Sequence, residues 1–192
     1  MKDGTPNLVH QRPGLMTESE CAELIAFSER CGFRRQRFGT SVPAEVRHRV
    51  AIDDSSIALN LWGLLHPHLR QLVDYFDDQL SSSSEVNIHE YSMFGLNERL
   101  RFYKYHQGER FSRHTDISFE KTDTERSFLS VIVYLNDDFE GGETTFGDAI
   151  AYPQTGSAVV FPHDLKHEGL VVSAGIKRVL RTDVMGRLER IR

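Results

Sequence analysis

The sequence predicts a mainly β domain preceded by N-terminal helices, with its short strands packed as a jelly roll or barrel. Two observations carry that reading. From Asn87 onward the chain breaks into about eight short apolar segments within about 100 residues, punctuated by Gly, Asn, Asp and Pro. Before Asn87, apolar residues recur at helical rather than alternating spacing. The length of 192 residues suits one domain with a full core. We therefore expect a single domain over 1–192, its helical part (15–80) packed on a β core (86–186).

The first helix is announced by a capping box, with Thr17 as N-cap and Glu20 returning to its amide. Leu24, Ile25, Phe27 and Cys31 keep roughly helical spacing, and Gly32 closes the segment. The basic stretch "RRQRFGTSVPAEVRHRV" has no clear period and reads as strand ends around a mobile loop. A second helix is expected from Asp54–Ser55, with Ile57, Leu61, Leu64, Leu65, Leu69, Leu72, Val73 and Phe76 as its apolar stripe. Pro67 falls inside that stripe, so a kink or break is expected there. The serine run at 81–84 ends the helical part. The strand candidates are "VNIHEY", "LRFYKY", "FLSVIVYL", "ETTF", "AIAYP", "SAVVF", "GLVVS" and "KRVLRTDVM". "EGGE", Glu140 to Glu143, reads as a tight turn whose glycines supply positive φ.

Composition narrows the function classes. A net charge of −5 and a pI near 6.0 argue against broad nucleic-acid binding, and no nucleic-acid partner is expected. The N-terminal residues contain no apolar segment of the secretory kind, and no apolar run approaches the roughly 18 residues of a membrane span. Cys21 and Cys31 lie in one expected helix, where ten residues at ~1.5 Å each separate them by about 15 Å. A disulfide needs Cα atoms within roughly 7 Å. Free thiols fit a reducing cytoplasm, the expected location, with no membrane association.

The chemistry concentrates in "RFYKYHQGERFSRHTD", residues 101–116. Residues two apart on a strand share a face, so His114 and Asp116 would project toward a common atom. A metal needs a third ligand, and His163 and His167 both stand downstream in "VVFPHDLKHEGLVV". Two histidines and a carboxylate suit Fe(II) with open positions for substrate and oxygen.

Three motifs in order, "RFYKYHQGERFSRHTD", "VIVYLNDDFEGGETTF" and "GSAVVFPHDLKHEGLVVSAGIK", make residues 99–185 resemble the Fe(II)/2-oxoglutarate-dependent dioxygenases of the prolyl 4-hydroxylase type. The resemblance implies a double-stranded β-helix core, the jelly roll of cupin-like proteins. It implies His-x-Asp, a distal His, and a basic residue about ten positions later. That offset selects His167, followed by Lys177, over His163, whose counterpart would be Ser173. His114, Asp116 and His167 are thereby the implied metal ligands, and Lys177 the implied partner of the far carboxylate of 2-oxoglutarate. Period two puts Lys177, Val179 and Arg181 on one face of their strand and Ile176, Leu180 and Val184 on the other. The resemblance turns the first set inward and makes Arg181 a second basic contact. Arg178 is on the other face. Tyr105, nine residues before His114, matches a family tyrosine that bonds the cosubstrate, and Tyr134 corresponds to another pocket tyrosine. Tyr103 shares the face of Tyr105, and Ser130 that of Tyr134. His163 then reads as a polar turn residue near the pocket rim.

The implied reaction couples oxidation of 2-oxoglutarate by O₂, giving succinate and CO₂, to hydroxylation of an unactivated C–H bond. Fe(II) is the implied cofactor and ascorbate the accessory reductant. Asp116 separates the chain from the related halogenases, which need that carboxylate absent. The primary substrate is expected to be a peptidyl residue such as proline, with a free amino acid or small metabolite as the alternative. "FRRQRFGTSVPAEVRHR" and "ISFEKTDTERS" are the expected covering loops. A competing class, a cupin-type metal barrel without oxygenase activity, needs no oxoacid pocket, and Lys177 counts against it.

Overall fold

The computed structural model describes residues 8–38, 45–80 and 91–188. In chain order these form β1 (His10–Arg12), α1 (Glu18–Cys31), β2 (Arg34–Phe38), β3 (Glu45–Asp53), α2 (Ser55–Leu80), β4 (Tyr91–Leu96), β5 (Arg99–His106), β6 (Phe111–His114) and β7 (Glu125–Tyr134). They continue with β8 (Glu140–Gly141), β9 (Thr144–Phe146), β10 (Ala149–Ala151), β11 (Ala158–Pro162), β12 (His167–Gly169), β13 (Val172–Ala174) and β14 (Ile176–Leu188).

Both helices begin where local chemistry satisfies their first amides. The Thr17 N–H donates to Glu20 Oε2 at 2.7 Å and the Glu20 N–H to Thr17 Oγ1 at 3.3 Å, the expected reciprocal cap. Asp54 Oδ1 accepts from the N–H groups of Ser56 and Ile57 at 3.0 and 2.9 Å and starts α2 in the same way. Two expectations about the helices need correcting. Cys31 is exposed rather than part of the stripe, because ten residues turn it about 80° from the buried Cys21. Pro67 does not break α2, which runs unbroken past it. Its one forfeited bond is to the carbonyl of Gly63, and both residues lie on the exposed side, where water can take that acceptor. Leu61, Leu65 and Leu69 are buried as expected, whereas Leu64 is half exposed. The side chains of Leu72, Val73 and Phe76 lie outside the described residues.

The strands assemble into a jelly roll. The larger sheet runs β1-β11-β7-β14-β5-β3-β2, with β4 also paired to β14, and the smaller runs β10-β9-β12-β6. β14 is the spine, with β7 along one side and β5 and then β4 along the other. Most expected strands are present, but "GLVVS" divides. Gly169 ends β12 and Val172 begins β13, because the intervening amide of Leu170 and carbonyl of Val171 bond Glu143 and Gly142 instead. "VNIHEY" lies outside the described residues except for Tyr91, which opens β4.

The large sheet buries both of its faces. Leu100, Phe102, Leu129, Val131, Val133, Leu180 and Val184 pack with Leu61, Leu65 and Leu69 of α2 and Cys21 of α1. The alternate residues Tyr103, Tyr105, Tyr134, Val159, Phe161 and Val179 form a second cluster with Phe146 and Val172. Period two thus gives each central strand one helix-facing and one barrel-interior side.

Candidate active site

The smaller sheet brings the two histidines together. His167 of β12 stands directly opposite His114 of β6 in the antiparallel register, where facing Cβ atoms are about 4.5–5.5 Å apart. The imidazole centroids are 4.2 Å apart. Asp116 does not share the strand of His114, as the i, i+2 spacing suggested. β6 ends at His114, and Asp116 lies just beyond it, with its N–H donating to the His163 carbonyl at 2.8 Å. That long-range bond aims the carboxylate at both imidazoles. His114 Nε2 is 3.7 Å from Asp116 Oδ1, and His167 Nε2 is 3.7 Å from Asp116 Oδ2. The three donors all lie within 4.8 Å of one another.

The tautomers suit a metal. Nδ1 of His114 lies 2.8 Å from the Ser112 carbonyl and Nδ1 of His167 lies 2.9 Å from that of Leu165. A carbonyl only accepts, so each Nδ1 carries the proton and each Nε2 presents a lone pair toward Asp116. His114 Nε2 is buried with no hydrogen-bond partner. An orphaned, correctly oriented lone pair beside a carboxylate is what a divalent cation would satisfy. Phe111 stacks on the His114 ring at 3.8 Å, and Phe161 packs on His167 at 4.5 Å, fixing both planes.

Around Asp116 the charges are matched. Burial favours the protonated acid, but His114, Arg181, Ser130 and His167 outweigh it and hold the carboxyl well below the usual carboxylate range. Arg181 Nη2 lies 3.0 Å from Asp116 Oδ2 and 3.1 Å from Asp183 Oδ1. Arg101 and Asn97 reach Asp183 Oδ2 at 2.9 and 3.1 Å. His163 is not a rim residue. It is buried, with Nδ1 and Nε2 each 2.8 Å from a hydroxyl, those of Ser130 and Ser127, and Ser130 in turn donates to Asp116. Burial pushes its pKa down to about 4, against the pull of Asp183 and Asp116, so it supports the carboxylate as a neutral ring.

Beside the cluster opens a cavity walled by Tyr103, Tyr105, Phe111, His114, Ile132, Thr144, His167, Gly169, Leu170, Lys177, Val179 and Arg181. Lys177 points in from β14, buried, with its ammonium donating to the Gly142 carbonyl at 2.6 Å. It makes no ion pair among the described residues, and burial pushes its pKa down to about 7 despite the nearby Glu143. Gly142 has φ 69°, and a Cβ there would come within 3.2 Å of the Lys177 stem, while a Cβ on Gly141 would strike the Val171 carbonyl, so both positions take glycine. "EGGE" is thus a positive-φ turn as expected, although its first two residues also pair as β8 with β13. Tyr105 and Tyr103 line the cavity directly. Tyr134 meets it indirectly, its hydroxyl donating to Thr144 at 2.7 Å and its ring 5.3 Å from the Lys177 ammonium. Burial pushes the Tyr134 phenol pKa up, so it remains a donor. Arg178, on the other face, meets Glu29 of α1 at 3.8 Å.

Sequence reasoning passed over Thr144, Phe111, Asp183 and the pairing of His163 with Ser127. Asp183 was findable, since it continues the alternation of Lys177, Val179 and Arg181. His163 was not, because its partners come from a strand 33 and 36 residues away.

Residues 100–182 match the family model of the 2OG-Fe(II) oxygenase superfamily. No curated protein matches the chain significantly in sequence. Among solved structures it is similar to a viral collagen prolyl hydroxylase from Paramecium Bursaria Chlorella virus-1, determined as its 2OG complex. The TM-score is 0.63 at 16% identity, over 95% of this chain and 97% of that one. It is also similar to a Pseudomonas putida prolyl-4-hydroxylase (TM-score 0.59, 16% identity, 95% and 94% covered). A third likeness is to a Trichoplax adhaerens prolyl hydroxylase in complex with a hypoxia inducible factor peptide (TM-score 0.60, 14% identity, 93% and 83% covered). Residues 100–182 thus match the 2OG-Fe(II) oxygenase superfamily, on a fold that the chain shares with the prolyl hydroxylases.

Proposed function

We propose that His114, Asp116 and His167 hold the Fe(II), and that Lys177 anchors 2-oxoglutarate in the adjoining cavity. The observation that carries this is the orphaned Nε2 of His114, within 4.8 Å of the other two donors and at the wall of the same cavity that buries Lys177. Bound together there, Fe(II) and 2-oxoglutarate supply the oxidising power that places one atom of O₂ in a C–H bond as 2-oxoglutarate becomes succinate and CO₂. The chain's own part is positioning. Ser130, Arg181 and the His163 carbonyl fix the Asp116 carboxylate, and the two Nδ1–H bonds fix the imidazoles. Lys177 is a buried cation with only a neutral acceptor, so a dicarboxylate gives its ammonium the partner it lacks. Tyr105 takes part in holding that carboxylate. Arg181 is already matched by Asp116 and Asp183, so it steadies the metal carboxylate and adds positive potential at the cavity wall rather than a free anchor. Tyr134 acts through Thr144. Ile132, Val179 and Phe111 keep the cavity walls apolar, which strengthens the electrostatics inside.

The described residues work as one domain, because α1, α2 and the large sheet share one apolar cluster. The substrate is a peptidyl residue, with proline the first candidate. Support comes from the fold shared with prolyl hydroxylases and from the β2–β3 pair, which borders the site where Arg47 lies 3.5 Å over the Phe111 ring. Residues 39–44 between those strands lie outside the described residues. No helix among the described residues is long and apolar enough to cross a membrane. With both described cysteines free, a cytoplasmic enzyme is the reading we favour.

The test is succinate formation from 2-oxoglutarate with Fe(II) and ascorbate, alongside a mass-spectrometric search of cell-extract peptides and metabolites for the gain of one oxygen. A peptide that gains oxygen at proline supports the substrate reading, and a metabolite that does so replaces it. Absence of succinate under all these conditions would contradict the assigned site.

A further inference from the structure

We infer that His48, His106 and Glu109 form a second metal site, for a zinc-type divalent ion, on the helix-facing side of the large sheet. His48 comes from β3, His106 ends β5, and Glu109 stands in the turn that follows. His48 alternates with Arg47 and Arg49, which face Phe111 and Tyr103 on the cavity side. It pairs instead with Lys104, whose ammonium meets Glu29 of α1 at 2.8 Å. The second cluster is therefore separated from the first by the sheet itself.

The three donor atoms lie within 4.8 Å of one another. His48 Nε2 is 3.2 Å from Glu109 Oε1. Tetrahedral zinc with bonds of ~2.0–2.1 Å to nitrogen and oxygen holds its ligand atoms about 3.3 Å apart. The remaining donors can close that gap by rotation of two imidazoles that already pack edge to face at 4.6 Å. The carboxylate is oriented in advance, because its other oxygen, Oε2, accepts from the His106 N–H at 2.8 Å. The turn that carries it is pinned by Gly108 N–H to the Val172 carbonyl at 2.8 Å and by Val172 N–H to the Glu109 carbonyl at 3.1 Å. The cluster is accessible, with 21% and 17% of the His48 and Glu109 side chains exposed, so an ion can enter and a water can complete the coordination. Of the cations on the same face, Lys104 and Arg178 are both drawn to Glu29, and Arg35, opposite His48 on β2, is exposed. Two imidazoles and one carboxylate are donors suited to zinc and its neighbours in the first row.

An ion here would tie β3 to the turn between β5 and β6. β3 carries Arg47, which lies over Phe111, and Phe111 stacks on His114. Occupancy would therefore stiffen one rim of the active-site cavity from outside it, and would raise the stability of the fold by linkage.

The decisive experiment counts zinc on the full-length chain, without a histidine tag and with Cys31→Ser throughout to remove the exposed thiol. Wild type should bind two equivalents of Zn(II), and His48→Ala one. His114→Ala/His167→Ala should retain one equivalent and lose it when His48→Ala is added. Glu109→Gln keeps the bond from the His106 N–H but removes the charge, and should weaken the retained site. Circular dichroism establishes that each variant is folded, and if His114→Ala/His167→Ala is not, the fall from two equivalents to one in His48→Ala decides alone. A single equivalent in wild type, or equal zinc content with and without His48, overturns the site and leaves a His–Glu hydrogen bond only.

Discussion

The two faces of the large sheet are made by the same strands and meet opposite chemistry. On the helix side, Leu100, Phe102, Leu129, Val131, Val133, Leu180 and Val184 form a dry apolar layer. On the barrel side, the residues between them are Arg101, Tyr103, Ser130, Ile132, Tyr134, Lys177, Val179, Arg181 and Asp183. One face needs only volume and apolarity, and tolerates substitutions of similar size. The other buries charge, so each group depends on a named partner. Asp183 leans on Arg101 and Asn97, Asp116 on Arg181 and Ser130, and His163 on two serines. Lys177 alone has only a carbonyl. That mismatch is what we propose the cosubstrate resolves.

The contrast is sharpened most by removing a ligand. His114→Ala should abolish Fe(II)-dependent 2-oxoglutarate turnover while thermal unfolding moves little, since His114 Nε2 bonds nothing in the described fold. Asp116→Ala should abolish turnover and also destabilise, by about 1–3 kcal/mol, because it takes one of two carboxylates from the buried Arg181 and the acceptor from Ser130. Turnover near the wild-type rate in either variant would show that the ligands lie elsewhere.

Next in size is Lys177→Ala. Leaving the distal carboxylate unpaired costs on the order of 3–5 kcal/mol, or roughly a hundred- to several-thousand-fold in 2-oxoglutarate affinity. Lys177→Arg should be intermediate. Metal affinity should hold, and the ligand-free fold should be no less stable, since a buried ammonium without a counter-ion is lost. Isothermal titration of the apoprotein with Mn(II), and then of the Mn(II)-loaded protein with 2-oxoglutarate, reads the two affinities.

Leu180→Ala, one residue from Val179 but on the other face, should cost about 2–5 kcal/mol of stability through its cavity. Specific activity of the folded fraction should stay near normal, as checked by denaturant unfolding beside succinate assays. A large loss of activity at retained stability would mean that the two faces are not separable.

A smaller effect is expected from pH. The ordinary lysine pKa of 10.5 falls to about 7 for Lys177 in the fold, primarily through burial. Between those values the unfolded chain holds a proton that the fold does not, so the stability lost to this buried charge is regained as pH rises from 7 toward 10.5. Binding a dicarboxylate reverses the preference and recruits the proton. Affinity for 2-oxoglutarate should therefore be flat below about pH 7 and fall by up to about tenfold per pH unit above it. In Lys177→Arg the same titration should be flat, since a guanidinium does not titrate there.

Much of the site could be read before the fold was known, for a physical reason. Period two sorts Lys177, Val179 and Arg181 from Leu180 without any tertiary information, and the capping box at Thr17 is local hydrogen bonding. What escaped depended on contacts distant in sequence. Asp116 left the strand because its amide bonds the His163 carbonyl, and "GLVVS" split because Glu143 and Gly142 claim its central backbone groups. His163 looked like a turn residue because Ser127 and Ser130 approach it from another strand. Pro67 suggested a break that does not occur, because the lost bond is exposed and costs less than that of a buried helix interior.

The central claim, that His114, Asp116 and His167 with Lys177 build one site for Fe(II) and 2-oxoglutarate, is tested most directly by anaerobic titration of Fe(II)-loaded protein with 2-oxoglutarate, following the charge-transfer absorption of the chelate. Wild type should develop the band with saturation, Lys177→Ala should develop it only at much higher 2-oxoglutarate, and His114→Ala and His167→Ala should not develop it. A band of equal intensity and midpoint in all four proteins would contradict the account.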